Sequence, residues 1–146
     1  MRSDLPRLIY RSASQLISTR AGIITHYEGG DRLQDEQEGV EFRTDGPRFT
    51  EISRGYFKIW YAINLLIQHT MDGNLHTKHT MAGTLVDALN IDIPILDDDD
   101  SEIGCLNLMQ DEFNRLQVNQ FGQIGKTIRL EQSTVEAHYQ MYYTEN

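Results

Sequence analysis

The stretch from Arg54 to His69, RGYFKIWYAINLLIQH, keeps a period of two along its whole length. Phe57, Ile59, Tyr61, Ile63, Leu65 and Ile67 form an unbroken apolar side. Tyr56, Lys58, Trp60, Ala62, Asn64, Leu66 and Gln68 form a mixed one. Aromatic and β-branched residues at this period predict a long strand, apolar enough on one side to be the spine of a sheet. The mixed side predicts partial cover by a helix or another subunit, with Trp60 and Leu66 placed to make the contact.

Before this spine, residues 4–19 read as a helix. Asp4 can cap it, Pro6 suits its first turn, and Leu5, Leu8, Ile9, Ala13, Leu16 and Ile17 share a stripe. Arg2, Arg7 and Arg11 lie off the stripe, as an ordinary solvated surface or as a contact for an acidic partner. Residues 21–27 suit a short strand. Residues 28–53 are polar and acidic without a sustained period, and predict a long loop or arm in which Val40 and Phe42 could make a short strand. After the spine, Asp72-Gly73 marks a turn and residues 75–89 a second helix. Ile91, Ile93 and Ile95 alternate across Pro94, as in an edge strand. Segments 103–109, 113–121 and 128–143 are strand-like, the last with a change of parity that predicts a bulge or bend near 132–134. The order predicts a single α+β domain spanning 1–146. It has an antiparallel or mixed sheet, an N-terminal amphipathic helix and a second helix packed on it, plus the long acidic loop at 28–53.

Charge sharpens this picture. The 146 residues carry a formal charge of -9. Residues 31–45 hold six acids and two bases, and 97–102 hold five acids, so these two patches account for the whole excess. Such a distribution discourages tight binding to a phosphate backbone, which needs clustered Lys and Arg. No apolar run approaches the roughly 20 residues of a membrane span, and the charged N-terminus has no continuous apolar region of a secretory signal. Both features predict a soluble protein made in the cytoplasm.

Candidate chemistry is sparse. Cys105, the sole cysteine, lies in an apolar run and reads as a buried, inert thiol. His69, His76 and His79 could approach a metal, but no carboxylate sits at a diagnostic offset. Asp97–Asp100 with Glu102 lacks the glycine and terminal glutamate of a helix-loop-helix calcium site. No phosphate loop or nucleophile elbow is present. The expectation is a non-enzyme without metal or cofactor.

The helix at 4–19, the strand YFKIWYAINLLIQH, the turn at Met71–Asn74, the helix HTKHTMAGTLVDALN, then IGCLNLM, NQFGQI and VEAHYQMYY together resemble tailed-bacteriophage tail terminator or neck proteins. The resemblance rests on element order and covers most of the chain. It implies a structural virion protein, assembled in the host cytoplasm, that forms a hexameric ring, caps the tail tube and joins it to the head-neck complex. Its partners would be itself, the tail tube protein and the head-completion protein, with DNA passing through unbound. The family offers no motif whose contact residues transfer. From the residues themselves, Asp97, Asp98, Asp99, Asp100 and Glu102, or else the loop at 31–45, are candidates to line a channel, where like charge repels phosphates. Trp60, Leu66, Asp35, Glu36, Glu38 and Arg43 are candidates for a subunit or ring interface. Rival readings are a head-completion or adaptor protein of the same neck, a small binding module that adds a partner strand to an exposed edge, and a small metal-dependent enzyme.

Overall fold

The computed structural model describes residues 2–34, 37–70, 75–110, 116–124 and 130–145. Helix α1 (Leu5–Ala21) leads into strand β1 (His26–Tyr27), β2 (Gly39–Ser53) and the spine β3 (Tyr56–Thr70). Then follow α2 (Leu75–Leu89), β4 (Ile93–Leu96), β5 (Glu102–Leu108), β6 (Leu116–Ile124) and β7 (Leu130–Thr144). The architecture is α+β, with seven strands in the order β1-β2-β3-β7-β5-β4 and β6 also paired to β7. Only β1 runs parallel to its neighbour, so the sheet is mixed.

The spine sits at the centre. β3 and β7 pair antiparallel without a break from Tyr56 opposite Thr144 to Thr70 opposite Leu130. That continuity corrects the expected bulge at 132–134. The irregularity lies instead in β6, between Gln120 and Gly122, opposite Ser133 and Gln132. An extra residue in the outer strand absorbs the mismatch, and the central strand stays regular. The turn at Met71–Asn74 lies outside the described residues.

One expectation is overturned by half. Residues 28–34 and 37–38 lie outside any strand, but 39–53 are a full strand, β2, paired antiparallel to β3 along its length. The strand is disguised in sequence by Gly46, Pro47 and five charged residues. Two register shifts accommodate them, between Asp45 and Arg48 and between Glu51 and Ser53. Val40 and Phe42 enter the core opposite Ile67 and Leu65, whereas from Asp45 onward most of the strand is solvent-exposed. A strand that buries only one end shows no sustained alternation.

α1 begins at Leu5 and runs to Ala21, longer than its apolar stripe predicts. Asp4 makes no side-chain cap; its carboxylate accepts from Arg2 Nε at 2.7 Å instead. Gly22 closes the helix in the left-handed conformation (φ 71°), and its N–H donates to Ser18 O at 3.0 Å. Leu5, Leu8, Ile9, Ala13 and Ile17 of α1, with Leu85, Ala88 and Leu89 of α2, share one core with the apolar side of the sheet. That side presents Ile59, Tyr61, Ile63, Leu65 and Ile67 from β3 and Val135, Ala137, Tyr139 and Met141 from β7. Buried apolar area of this kind is the main stabilising term, at about 25 cal/mol per Å². β4 is the edge strand that Pro94 predicts, and α1 covers it: the Leu96 N–H donates to Ser12 Oγ at 2.9 Å. No described helix is long and apolar enough to cross a membrane.

Candidate interaction face

Both helices lie on one side of the sheet, which leaves the mixed side of β3 facing away from them. Strand pairing brings Trp60 next to Arg48 of β2 and Gln140 of β7, Ala62 next to Asp45 and His138, and Asn64 next to Arg43 and Glu136. The Arg48 guanidinium carbon stands 4.3 Å from the Trp60 ring centroid, a cation–π contact, while its Nη2 reaches Asp45 Oδ2 at 3.2 Å. His138 meets the indole edge-on with ring centroids 5.4 Å apart. Its Nε2 lies 2.8 Å from Glu136 Oε1, and Gln117 Nε2 donates to the other oxygen at 3.2 Å. An ionised carboxylate only accepts, so His138 carries its hydrogen on Nε2 and presents a lone pair on Nδ1 when neutral. That Nδ1 and Asn64 Oδ1 are buried without a hydrogen-bond partner among the described residues. Unpaired buried acceptors are uncommon and cost free energy in an isolated chain. Toward the β2–β3 turn, Tyr56 stacks on Tyr142 at 5.9 Å, and Tyr142 is 48% exposed.

The opposite end of this face is closed by the chain itself. Glu41 is fully buried. It accepts from the Leu33 N–H and from Arg43 Nε, while Gln68 Nε2 donates to Gln34 O at 2.9 Å and Gln37 O at 2.8 Å. These bonds tie the segment before β2 across Glu41, Leu66 and Gln68. Burial pushes the Glu41 carboxyl up, but Arg43 and the Leu33 N–H outweigh it and hold it below its ordinary value.

The sequence-derived interface residues therefore separate. Trp60 and Arg43 share the helix-free face, half-buried, with the Asp45–Ala62 pair between them along the strands and Arg48 directly across from Trp60. Leu66 does not belong with them: it is only 3% exposed, because the tied segment covers its end of the face. Glu38 lies on that segment and is exposed. Asp35 and Glu36 lie outside the described residues. Arg48, His138 and Asn64 were missed, because nothing in local sequence marks residues that meet only across strands.

The acidic patch is not uniform. Asp97 Oδ1 accepts from the N–H groups of Asp99 and Ser101, both at 2.9 Å, and so closes a turn in which Asp100 takes φ 60°. Asp98 is gripped from α1: Arg7 donates twice, at 3.1 and 3.0 Å, and Arg11 Nη1 donates at 2.6 Å. Arg11 Nη2 also reaches Leu96 O and Asp97 O. Arg7 and then Arg11 hold the Asp98 carboxyl down at about 2. The basic surface of α1 thus has an acidic partner within its own chain. Asp99, Asp100 and Glu102 remain exposed at the rim of the turn.

Cys105 is free and only half-buried, opposite Pro94, with its thiol pushed up by burial. Among the described residues, no group of three His, Cys, Asp or Glu side chains could hold a metal ion. His69 and His79 are described without such a group; the His76 side chain lies outside the description.

No family model matches the chain, and no curated protein does. Four chains of solved structures match. One aligns over 100% of this chain and 99% of its own length, with a TM-score of 0.53 and 8% sequence identity, and its name states no function. A likeness at that identity is one of fold alone.

Proposed function

We propose that this chain is a structural subunit that closes into a ring, of the tail-terminator or neck type. It would cap a tail tube and join it to the head-neck complex of a virion. The observation that carries this reading is the Trp60 cluster. A rigid, doubly paired strand holds a half-buried indole between Arg48 and His138, beside two buried acceptors with no partner among the described residues. Tryptophan, tyrosine and arginine dominate the energetics of protein–protein contacts, and orphan polar groups beside them fit a surface completed by association. The role is mechanical and calls for no catalytic group or cofactor. Copies of the chain, the tube protein and the head-completion protein are the partners, and DNA passes through without specific binding, which the charge of -9 favours.

Contact through a face also fits better than strand addition. Beyond Phe42 the outer edge of β2 has no strand partner among the described residues. That edge carries Pro47, two register shifts and alternating charge, the devices by which proteins blunt an edge against further strands.

Electron microscopy and light scattering of the purified chain, alone and with tube protein, are expected to show a closed ring. A strict monomer under both conditions overturns the reading.

A further inference from the structure

A strand can pair along both of its edges, so an outer edge without cover selects a further strand. The outer edge of β2 is closed to one by Pro47, two register shifts and alternating charge. That of β4 lies under α1, where the Leu96 N–H donates to Ser12 Oγ and Arg11 Nη2 donates to Leu96 O. β6 is different. It pairs with β7 on one side and with no other strand among the described residues. From Leu116 to Ile124 its sequence, LQVNQFGQI, has no proline and no charged residue. Its register shift falls after Gln120, so residues 116–120 run regularly along β7.

Val118 stands at the middle of that regular stretch. It pairs with Val135, which is fully buried on the helix side of the sheet, yet Val118 itself is 42% exposed. A β-branched side chain suits a strand packed by neighbours on both sides, and β7 supplies only one. Gln117 and Asn119 flank Val118 on the opposite side of the sheet, next to Glu136 and Thr134. Gln117 Nε2 donates to Glu136 Oε2 at 3.2 Å, which holds the carboxamide in place at the edge.

We infer that the occupant of this edge is β6 of a second copy, paired antiparallel about a twofold axis at Val118. That register sets Val118 against Val118 of the other copy, Gln117 against Asn119, and Leu116 against Gln120. Directly opposite residues share a face, so the exposed valines meet on the helix side. The carboxamides meet on the other, where each can both donate and accept. Charge favours the same choice. Two chains of net charge -9 repel, and β6 is an edge along which they can approach with no charged side chain on either edge strand. The result is one sheet continuous through both copies. A twofold contact joins subunits two by two, so it goes beyond the ring reading and does not rest on it. Single subunits become dimers, and rings joined this way come in facing pairs.

Opposite charges at Val118 test this in the full chain. The variants are Val118→Lys and Val118→Glu, at an exposed position, and circular dichroism melts verify that each folds like the parent. Native mass spectrometry, with one variant isotope-labelled, reads the association. The parent is expected to contain an even number of chains. Each variant alone is expected to associate about tenfold more weakly or worse, since on a twofold the new charge meets its own copy. An equimolar mixture should restore pairs of one labelled and one unlabelled chain, because lysine then faces glutamate. Such rescue is peculiar to a contact in which a residue meets itself. Folded variants that pair like the parent overturn the inference, as does loss in both without recovery in the mixture. Single rings unchanged by either substitution overturn the β6 pairing and leave the ring standing. Dimers that respond to both substitutions, with no ring at any concentration, uphold the pairing and overturn the ring. A parent that is monomeric in every condition overturns both.

Discussion

Trp60 and Ile63 are three positions apart on one strand and do different work. Ile63 points into the core and is fully buried. Placing a carboxylate there with Ile63→Asp leaves a charge in an apolar interior, which exceeds what a domain stable by about 5–15 kcal/mol can absorb. The variant is expected to be unfolded by circular dichroism. Trp60→Ser removes a half-buried ring from the opposite face, so the melt should remain cooperative while assembly is lost. Equal loss of folding in both variants would contradict that separation. Arg48→Ala should cost only about 0.5–1 kcal/mol of stability in a urea titration, the worth of a partly exposed cation–π contact. That Trp60 stands on the second face of the spine was legible from its place on a mixed strand face. Its neighbours Arg48 and His138 were not, because their proximity depends on a register set by two other strands.

Among the secondary-structure elements, the connections between helix and sheet depend on single polar side chains. Ser12→Ala strands the Leu96 N–H where α1 covers β4, and should destabilise by about 1–3 kcal/mol, the cost of an unsatisfied buried donor. Gly104→Ala places a Cβ 2.7 Å from Met141 Sδ, so the thioether must shift; the expected loss is about 1–3 kcal/mol, or less if Met141 repacks. Urea titrations read both. The two helices and the spine were readable because each has an intact apolar period. β2 was not, since half of it lies in water and its alternation stops at Asp45.

For the whole molecule, acid is the informative perturbation. Glu41 and Asp98 both have folded values below their ordinary ones. Each therefore stabilises the fold fully above the unfolded carboxylate range, about 4, and loses that contribution as pH falls through its folded value. Stability should be flat above about pH 5 and decline below it, with the Asp98 part persisting to about 2. Glu41→Gln with Asp98→Asn should give a shallower decline between pH 5 and 2 in urea titrations. A slope equal to that of the parent would show that other carboxylates set the acid response.

The class of the fold, its central strand and both helices follow from periodicity, which is a local property: alternate residues of a strand must face opposite ways whatever surrounds them. Long-range pairing settled everything that involves two distant segments. It made a strand of residues 39–53, buried Leu66 beneath its own chain, and spent Arg7 and Arg11 on Asp98, more than 80 positions away. Composition marked the acidic turn as exposed charge, and only its grip by α1 distinguished the carboxylate that is used within the chain from those still facing outward. The spine of the sheet stands as the hydrophobic pattern drew it. What its second face touches depends on which strands lie beside it, and that information is spread over the whole sequence.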